Sequence, residues 1–243
     1  MSADYRSRIY GKYYSASYGV VNAPDDAAFR QAEGGLKQLL VPRLPADREA
    51  RILDAGCGIG YAVETLLHAG YRNTRGVDGS AEQVEIARRR GLPVELGDAL
   101  ETLRGTPGQW QAILALDFIE HLHKDELLSF LDLAREALAP GGRLILKTPN
   151  ASSPMGPRSR YRDLTHELIF TEQSLREALL VCDLRVVEIT GDRFLPFTPL
   201  GWMRYVATSL FQALWRAYLV AELGREGLDI PLHFNLLAVA QRP

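Results

Sequence analysis

The stretch Arg51-Ile52-Leu53-Asp54-Ala55-Gly56-Cys57-Gly58-Ile59-Gly60-Tyr61 has the residue spacing most suited to chemistry. A short apolar run ends at an acid, and three glycines then alternate with other residues before a helical pattern opens at Tyr61. Alternating glycines reach backbone angles closed to other residues and let a ligand lie against bare backbone. The dinucleotide fingerprint G-x-G-x-x-G needs a glycine where Tyr61 stands, so a pyrophosphate resting on the helix N-terminus is disfavoured. Asp54, directly before the loop, would repel phosphate and suits a cationic or hydroxyl-bearing ligand. Asp78, Asp98 and Asp117 close three further runs in the same way. At the carboxyl ends of parallel strands all four acids would face one crevice. Asp is also common in turns and caps, but four in register point to a binding site.

The elements that must position these acids alternate between strand and helix, as a doubly wound sheet requires. Strands are expected at 52–54, 74–77, 93–96, 110–116, 143–147, 184–189 and 235–240, seven in all. A helix from Asp25 or Asp26 to Leu40 precedes the sheet and is closed by Pro42 and Pro45. Further helices are expected at Tyr61–Ala69, from a Ser80/Gln83 capping box to Arg90, and at Asp125–Leu138, stopped by Pro140-Gly141-Gly142. Thr171 reads as an N-cap, with Phe170 and Leu175 as a hydrophobic staple. Residues 150–170 show no clear periodicity, and a loop of that length is usually functional or disordered. It carries Arg158, Arg160, Arg162, Asp163 and His166.

With 243 residues and 47% hydrophobic content, the chain can bury a full core in one large domain. A net charge of −2 and a pI near 6.2 argue against a general nucleic-acid partner. Two cysteines give no disulfide framework, and Met1-Ser2-Ala3-Asp4 opens no apolar signal core, so a cytoplasmic protein is expected. Three parts are expected: residues 1–49 as an N-terminal helical lid segment, 50–190 with 233–243 as the main domain, and 191–232 as a helical insertion capping the acceptor side. Five of the ten tyrosines, Tyr5, Tyr10, Tyr13, Tyr14 and Tyr18, lie in the first part and suit either a ligand lid or a surface-packed segment.

Taken together, Leu53-Asp54-Ala55-Gly56-Cys57-Gly58-Ile59-Gly60, Val77-Asp78, Gly97-Asp98-Ala99, Ile119-Glu120-His121-Leu122 and Leu138-Ala139-Pro140-Gly141-Gly142 resemble the small-molecule class I S-adenosylmethionine-dependent methyltransferases. That resemblance covers roughly residues 50–190 and implies a Rossmann-like α/β sheet of seven strands, mostly parallel, with helices on both faces and an antiparallel last strand. It implies that Gly56, Gly58 and Gly60 pass under the methionine part of S-adenosylmethionine, with Asp54 near its ammonium. Asp78 would accept from the ribose diol, Asp98 from the adenine amino group, Ala99 would donate its backbone N–H to a ring nitrogen, and Asp117 would sit near the methyl donor. Base-directed amino-methyltransferases carry an Asp/Asn-Pro-Pro-Tyr/Phe run where this chain has Asp117-Phe118-Ile119-Glu120, so base methylation is disfavoured. The Glu-His-Leu turn resembles enzymes that methylate oxygen on small metabolites, lipids or sugars. Tyr161-Arg162-Asp163-Leu164-Thr165-His166-Glu167 resembles methyltransferases of surface-polysaccharide and lipid-linked glycan synthesis.

On this reading a small-molecule or saccharide hydroxyl loses its proton to a positioned base, and histidine suits neutral pH. His166, oriented by Asp163, is preferred over His121. No metal is expected; Asp117, Asp163 and the histidines show no ligand spacing. A nicotinamide oxidoreductase and a non-catalytic cofactor-binding protein remain as alternatives. In the insertion, Trp202, Val206, Leu210, Ala213, Leu214, Ala217 and Val220 fall on one face, expected to be buried on the sheet domain. The other face, with Arg204, Tyr205, Trp215, Arg216 and Leu219, suits peripheral contact with the inner membrane surface, a lipid-linked acceptor or a homodimer contact.

Overall fold

The computed structural model describes Ile9, Lys12, Ser15, residues 25–192 and residues 196–243. The five N-terminal tyrosines of the expected lid lie outside the described residues. Helix α1 (Asp26–Leu40), capped by the Asp25 carboxylate on the Ala28 N–H, leads into β1 (Ile52–Ala55) and α2 (Tyr61–His68). The chain continues through β2 (Thr74–Asp78), α3 (Ala81–Arg89), β3 (Val94–Leu96), α4 (Ala99–Arg104), β4 (Trp110–Leu116) and α5 (Lys124–Ala137). It ends with β5 (Leu138–Pro149), α6 (Gly156–Tyr161), α7 (Glu172–Val181), β6 (Arg185–Gly191), α8 (Pro199–Leu223) and β7 (Asn235–Gln241). The strands form one sheet in the order β3-β2-β1-β4-β5-β7-β6. β7 runs antiparallel to both β5 and β6, and the pairings among β1 to β5 are parallel. This is the expected Rossmann-like sheet.

Both faces are covered, which is why the central strands read as unbroken apolar runs. Leu53, Ala55, Ile113, Ala115, Leu144 and Leu146 join α4, α5 and α7 in one core. Ile52, Ala112, Leu114, Ile145 and Val239 join α1 and α2 in a second. Helix α1 buries Phe29, Leu39 and Leu40 against the sheet domain. Phe170 and Leu175 share the first core, as a staple would require. The strand order reverses between β1 and β4, and in open sheets the ligand crevice lies outside the carboxyl ends at that point.

Three local readings are corrected. The Pro140-Gly141-Gly142 stop lies within β5, which starts at Leu138 beside Trp110 of β4. The aperiodic loop contains the short helix α6, and the segment after β3 contains α4. Most telling is α8, of which no residue is buried. Trp202, Val206, Leu210, Ala213, Leu214 and Ala217, expected to face the core, are exposed, whereas Tyr205, Trp215, Arg216 and Leu219 are half covered. The polar side holds the helix: Gln212 donates to the Leu232 carbonyl, and the Arg216 guanidinium donates to the carbonyls of Gly227, Leu228 and Ile230.

Candidate active site

The loop after β1 is shaped by its own packing. Gly56 and Gly60 adopt φ of +73° and +89°, angles that disfavour a side chain. A Cβ at Gly56 would stand 2.3 Å from the Phe118 ring, and one at Gly60 would stand 2.5 Å from Leu92. The space freed by these two glycines is thus occupied by the protein's own side chains. The Gly58 N–H donates to Asp78 Oδ2 at 2.8 Å, and the Ser80 N–H to Asp78 Oδ1 at 2.7 Å, so Asp78 ties the loop to the end of β2. The expected Ser80/Gln83 box is not formed: the Ser80 side chain makes no capping bond, and its Oγ is buried without a partner.

Asp54 is 2% exposed, and its Oδ1 has no hydrogen-bond partner. Burial, reinforced by the neighbouring Asp78, pushes its pKa up from 3.8 to about 7. Burial also raises Asp78, against the two N–H groups that hold it down. A buried carboxyl with an orphaned oxygen beside a second carboxyl fits a ligand that brings positive charge. Asp98 is exposed and caps α4, its Oδ1 accepting from the Glu101 N–H at 3.0 Å; Ala99 begins that helix and is buried.

Beyond β4 a second constellation forms. Asp117 takes a left-handed φ of +54°, and its Oδ2 stands 2.5 Å from Lys147 Nζ at the far end of β5. Burial opposes the Lys147 charge, but Asp117, Asp192 and Glu120 outweigh it and raise the pKa. The next turn presents Glu120, 1% exposed, whose Oε2 accepts from Thr148 Oγ1 at 3.0 Å. Burial first, and then Asp117, raises the Glu120 carboxyl to about 8. The Glu120 carbonyl accepts from the N–H groups of Glu167 and Leu168, which fastens the 150–170 loop to this turn.

That fastening brings the two histidines together, with ring centroids 4.8 Å apart and planes at 76°. His121 Nδ1 lies 2.8 Å from Thr165 Oγ1, and that hydroxyl donates to Asp163 Oδ1 at 2.6 Å. A hydroxyl has one proton, so Nδ1 of His121 carries the hydrogen and Nε2 the lone pair. His166 is 9% exposed, and its Nδ1 lies 3.0 Å from the Ser159 carbonyl, which can only accept. Its Nε2 therefore also holds the lone pair. Burial lowers both pKa values, that of His121 to about 4 with His166 adding to the effect, so both rings are neutral near pH 7. One ligand atom from each of Glu120, His121 and His166 lies within 4.8 Å of the others.

Residues 28–189 match the methyltransferase domain family. The chain belongs to that family. A ubiquinone biosynthesis O-methyltransferase of Methylocella silvestris is 34% identical over 190 residues, covering 67% of this chain and 71% of the relative. A protein of the same name from Xylella fastidiosa is 33% identical over 107 residues, 42% of each chain. The match thus spans less than half of some relatives' length. Among solved structures, an Archaeoglobus fulgidus SAM-dependent methyltransferase has a TM-score of 0.62 at 20% identity, covering 98% of this chain and 100% of its own. A Streptomyces coelicolor geranyl diphosphate C-methyltransferase has the same score at 17% identity, with both chains fully covered. The chain is a SAM-dependent methyltransferase and S-adenosylmethionine is its cofactor, so the oxidoreductase and non-catalytic alternatives fall.

In this methyltransferase Asp54, Gly56, Gly58, Gly60 and Asp78 form one hydrogen-bonded or adjoining unit, with Asp98 and Ala99 at the start of α4. Asp117 lies with the histidines. Asp163 acts on both histidines: its carboxylate reaches His121 through Thr165, and its carbonyl accepts from the His166 N–H while its charge favours the His166 imidazolium, with Nδ1 of His166 held by Ser159. Sequence reasoning assigns no role to Glu120, Lys147, Thr148 or Thr165. Glu120 stands inside the Glu-His-Leu turn, and Lys147 ends an apolar run, the same signal that draws attention to the acids.

Proposed function

We propose that this methyltransferase transfers the methyl group to a hydroxyl oxygen of a small, polar acceptor carried on a lipid. The observation that supports this most is the pair of neutral imidazoles beside Asp117, each with Nδ1 held by a partner within the protein. An alcohol must lose a proton during transfer, and this pair is where we place that loss, with His166 or His121 as the residue concerned. The relatives named as ubiquinone biosynthesis O-methyltransferases favour oxygen as the acceptor atom.

For the cofactor, Asp54 meets the methionine ammonium above the Gly56-Gly58-Gly60 loop, Asp78 the ribose diol, Asp98 and Ala99 the adenine edge, and Asp117 the methyl end. The acceptor oxygen forms the new bond to carbon as the carbon–sulfur electron pair returns to sulfur, leaving a neutral sulfide. Most of the rate gain comes from alignment of the reacting atoms. A lipid-linked saccharide or a comparable lipid-borne hydroxyl fits Arg158 and Arg162 of the loop and the outward apolar face of α8, which we place at the acceptor side. Among the described residues no helix is long and apolar enough to cross a membrane, so contact through α8 would be peripheral.

The test is methyl transfer from isotope-labelled cofactor to polyprenylated phenols and to lipid-linked saccharides, with the product bond assigned by NMR. Oxygen methylation is expected, with His166→Ala or His121→Ala lowering turnover about 10²–10⁴-fold while cofactor affinity holds. Exclusive nitrogen or carbon methylation, or full turnover in both variants, would overturn the reading.

A further inference from the structure

We propose that the outward face of α8 is a seam for a second copy of this chain, and that in lipid-free solution two copies pair there antiparallel about a two-fold axis through Leu210. The pairing goes beyond the O-methylation reading and does not depend on it.

The helix has two unlike sides. On the inner side Gln212 and Arg216 donate to the carbonyls of Gly227, Leu228, Ile230 and Leu232, which ties the helix to the chain that follows it. The outer side presents Leu200, Met203, Leu210 and Leu214, from 63% to 73% exposed, with Ala207, Ala217 and Ala221 exposed between them. Val206, Phe211 and Tyr218 flank this stripe and are exposed as well. Together these side chains show roughly 800 Å² of apolar surface, against about 300–600 Å² for the largest patch on an ordinary monomer and about 800 Å² per partner in a standard interface.

Spacing points to the kind of partner. Leu200, Met203, Ala207, Leu210, Leu214, Ala217 and Ala221 follow one another at alternating intervals of three and four residues. An apolar repeat of that period, held through three heptads, keeps one stripe turned toward a partner helix. None of the seven is polar, and the charged residues of α8, Arg204, Arg216 and Glu222, all lie off the stripe.

Size points to the orientation. In a two-fold pairing residue i meets j and j meets i. With Leu210 against its own copy on the axis, Ala207 meets Leu214, Met203 meets Ala217 and Leu200 meets Ala221. Every layer away from the axis then sets a large side chain against a small one, which lets facing rows interdigitate without voids. A parallel pairing would stack Leu214 on its copy and Ala217 on its copy, alternating crowded and empty layers. Lipid, the rival occupant of this face, needs apolar surface but no register, so the alternation has a use only against another helix. Because β6 ends and β7 begins beside Pro149 at the end of β5, α8 lies at the carboxyl end of the sheet, and the pairing joins two protomers on that side.

The test is sedimentation velocity of the full 243-residue chain in lipid-free buffer at micromolar concentration. A species of twice the 27.0 kDa chain mass is expected. Leu210→Glu brings two carboxylates together on the axis and should raise the dimer dissociation constant at least about 100-fold, since like charges face each other. Its affinity for S-adenosylhomocysteine should match that of the wild type, which shows that the variant is folded. Orientation is read by oxidation with diamide, for which Cys57 and Cys182, both buried, give little background. Leu210→Cys should cross-link to its own copy, Leu200→Cys alone should not, and the Leu200→Cys/Ala221→Cys double variant should. A wild type that stays monomeric, or a dimer that Leu210→Glu leaves intact, overturns the proposal. Efficient cross-linking of Leu200→Cys alone overturns the antiparallel register. A monomer that sediments with anionic vesicles through α8 gives the face to lipid instead. None of these outcomes bears on which atom the enzyme methylates.

Discussion

Replacing Asp54 with asparagine should make the cofactor-free protein more stable and the cofactor bind more weakly. The Asp54 carboxyl is held at a pKa of about 7 against an ordinary 3.8, chiefly by burial. At 1.36 kcal/mol per pH unit, that gap corresponds to about 4 kcal/mol. Its sign follows from linkage. Below pH 3.8 the carboxyl is protonated in both folded and unfolded chains and contributes nothing. Between pH 3.8 and 7 the unfolded chain ionises while the folded one does not, so stability falls as pH rises; above pH 7 the full penalty is present. Asparagine cannot ionise, so the variant escapes the penalty. For a chain of this size about 1 kcal/mol moves Tm by roughly 2–4 °C, so even half the figure gives roughly 4–8 °C. Calorimetry from pH 4 to 8 without ligand should show the Asp54→Asn variant and wild type melting together at pH 4 and diverging as pH rises. Titration with S-adenosylhomocysteine at pH 8 should then show weaker binding by the variant. A Tm difference independent of pH, or a less stable variant at pH 8, would refute the burial argument. Unchanged affinity would refute the ammonium assignment alone.

Three other perturbations test separate parts of the molecule. Lys147→Met removes the cation that faces Asp117, Asp192 and Glu120; because the Asp117 side chain is half exposed, solvent screening holds the cost in urea unfolding to about 1–2 kcal/mol, below that of a fully buried pair. Gly60→Ala should destabilise by more than Gly91→Ala: both have positive φ, but a Cβ at Gly60 meets Leu92 at 2.5 Å whereas nothing lies within 4 Å of one at Gly91. In α8, Leu214→Glu should change stability by under about 0.5 kcal/mol, since Leu214 is 73% exposed, yet reduce co-sedimentation with anionic liposomes. Arg216→Ala should lose about 1–3 kcal/mol with its carbonyl partners, and the reverse ranking in chemical denaturation would show that the inward face is misassigned.

What can be read from the chain alone is what is encoded locally. An apolar run ending in Asp marks a buried strand and its exit, and Asp54, Asp78 and Asp117 each stand where that pattern puts them. Strand order and the reversed β7 come only with the family resemblance, because pairing partners lie far apart in sequence. Side-chain partnerships are illegible for the same reason. Asp163 and His166 are three residues apart and do interact, but the Asp163 carboxylate also holds Thr165, and Thr165 holds His121 from 44 residues away, a link that spacing does not show. That contact exists because the Glu120 carbonyl captures the Glu167 and Leu168 amides, a tertiary event with no periodic signature. The inversion of α8 has a related cause. A 3.6-residue pattern shows that a helix has an apolar face but not that the protein covers it. Here Arg216, with its fork of carbonyl partners, decides the orientation. A guanidinium can satisfy several carbonyls at the end of the following helical turn at once, whereas Leu210 and Leu214 stay exposed. The helix is therefore held by its polar side, and its apolar side is left exposed.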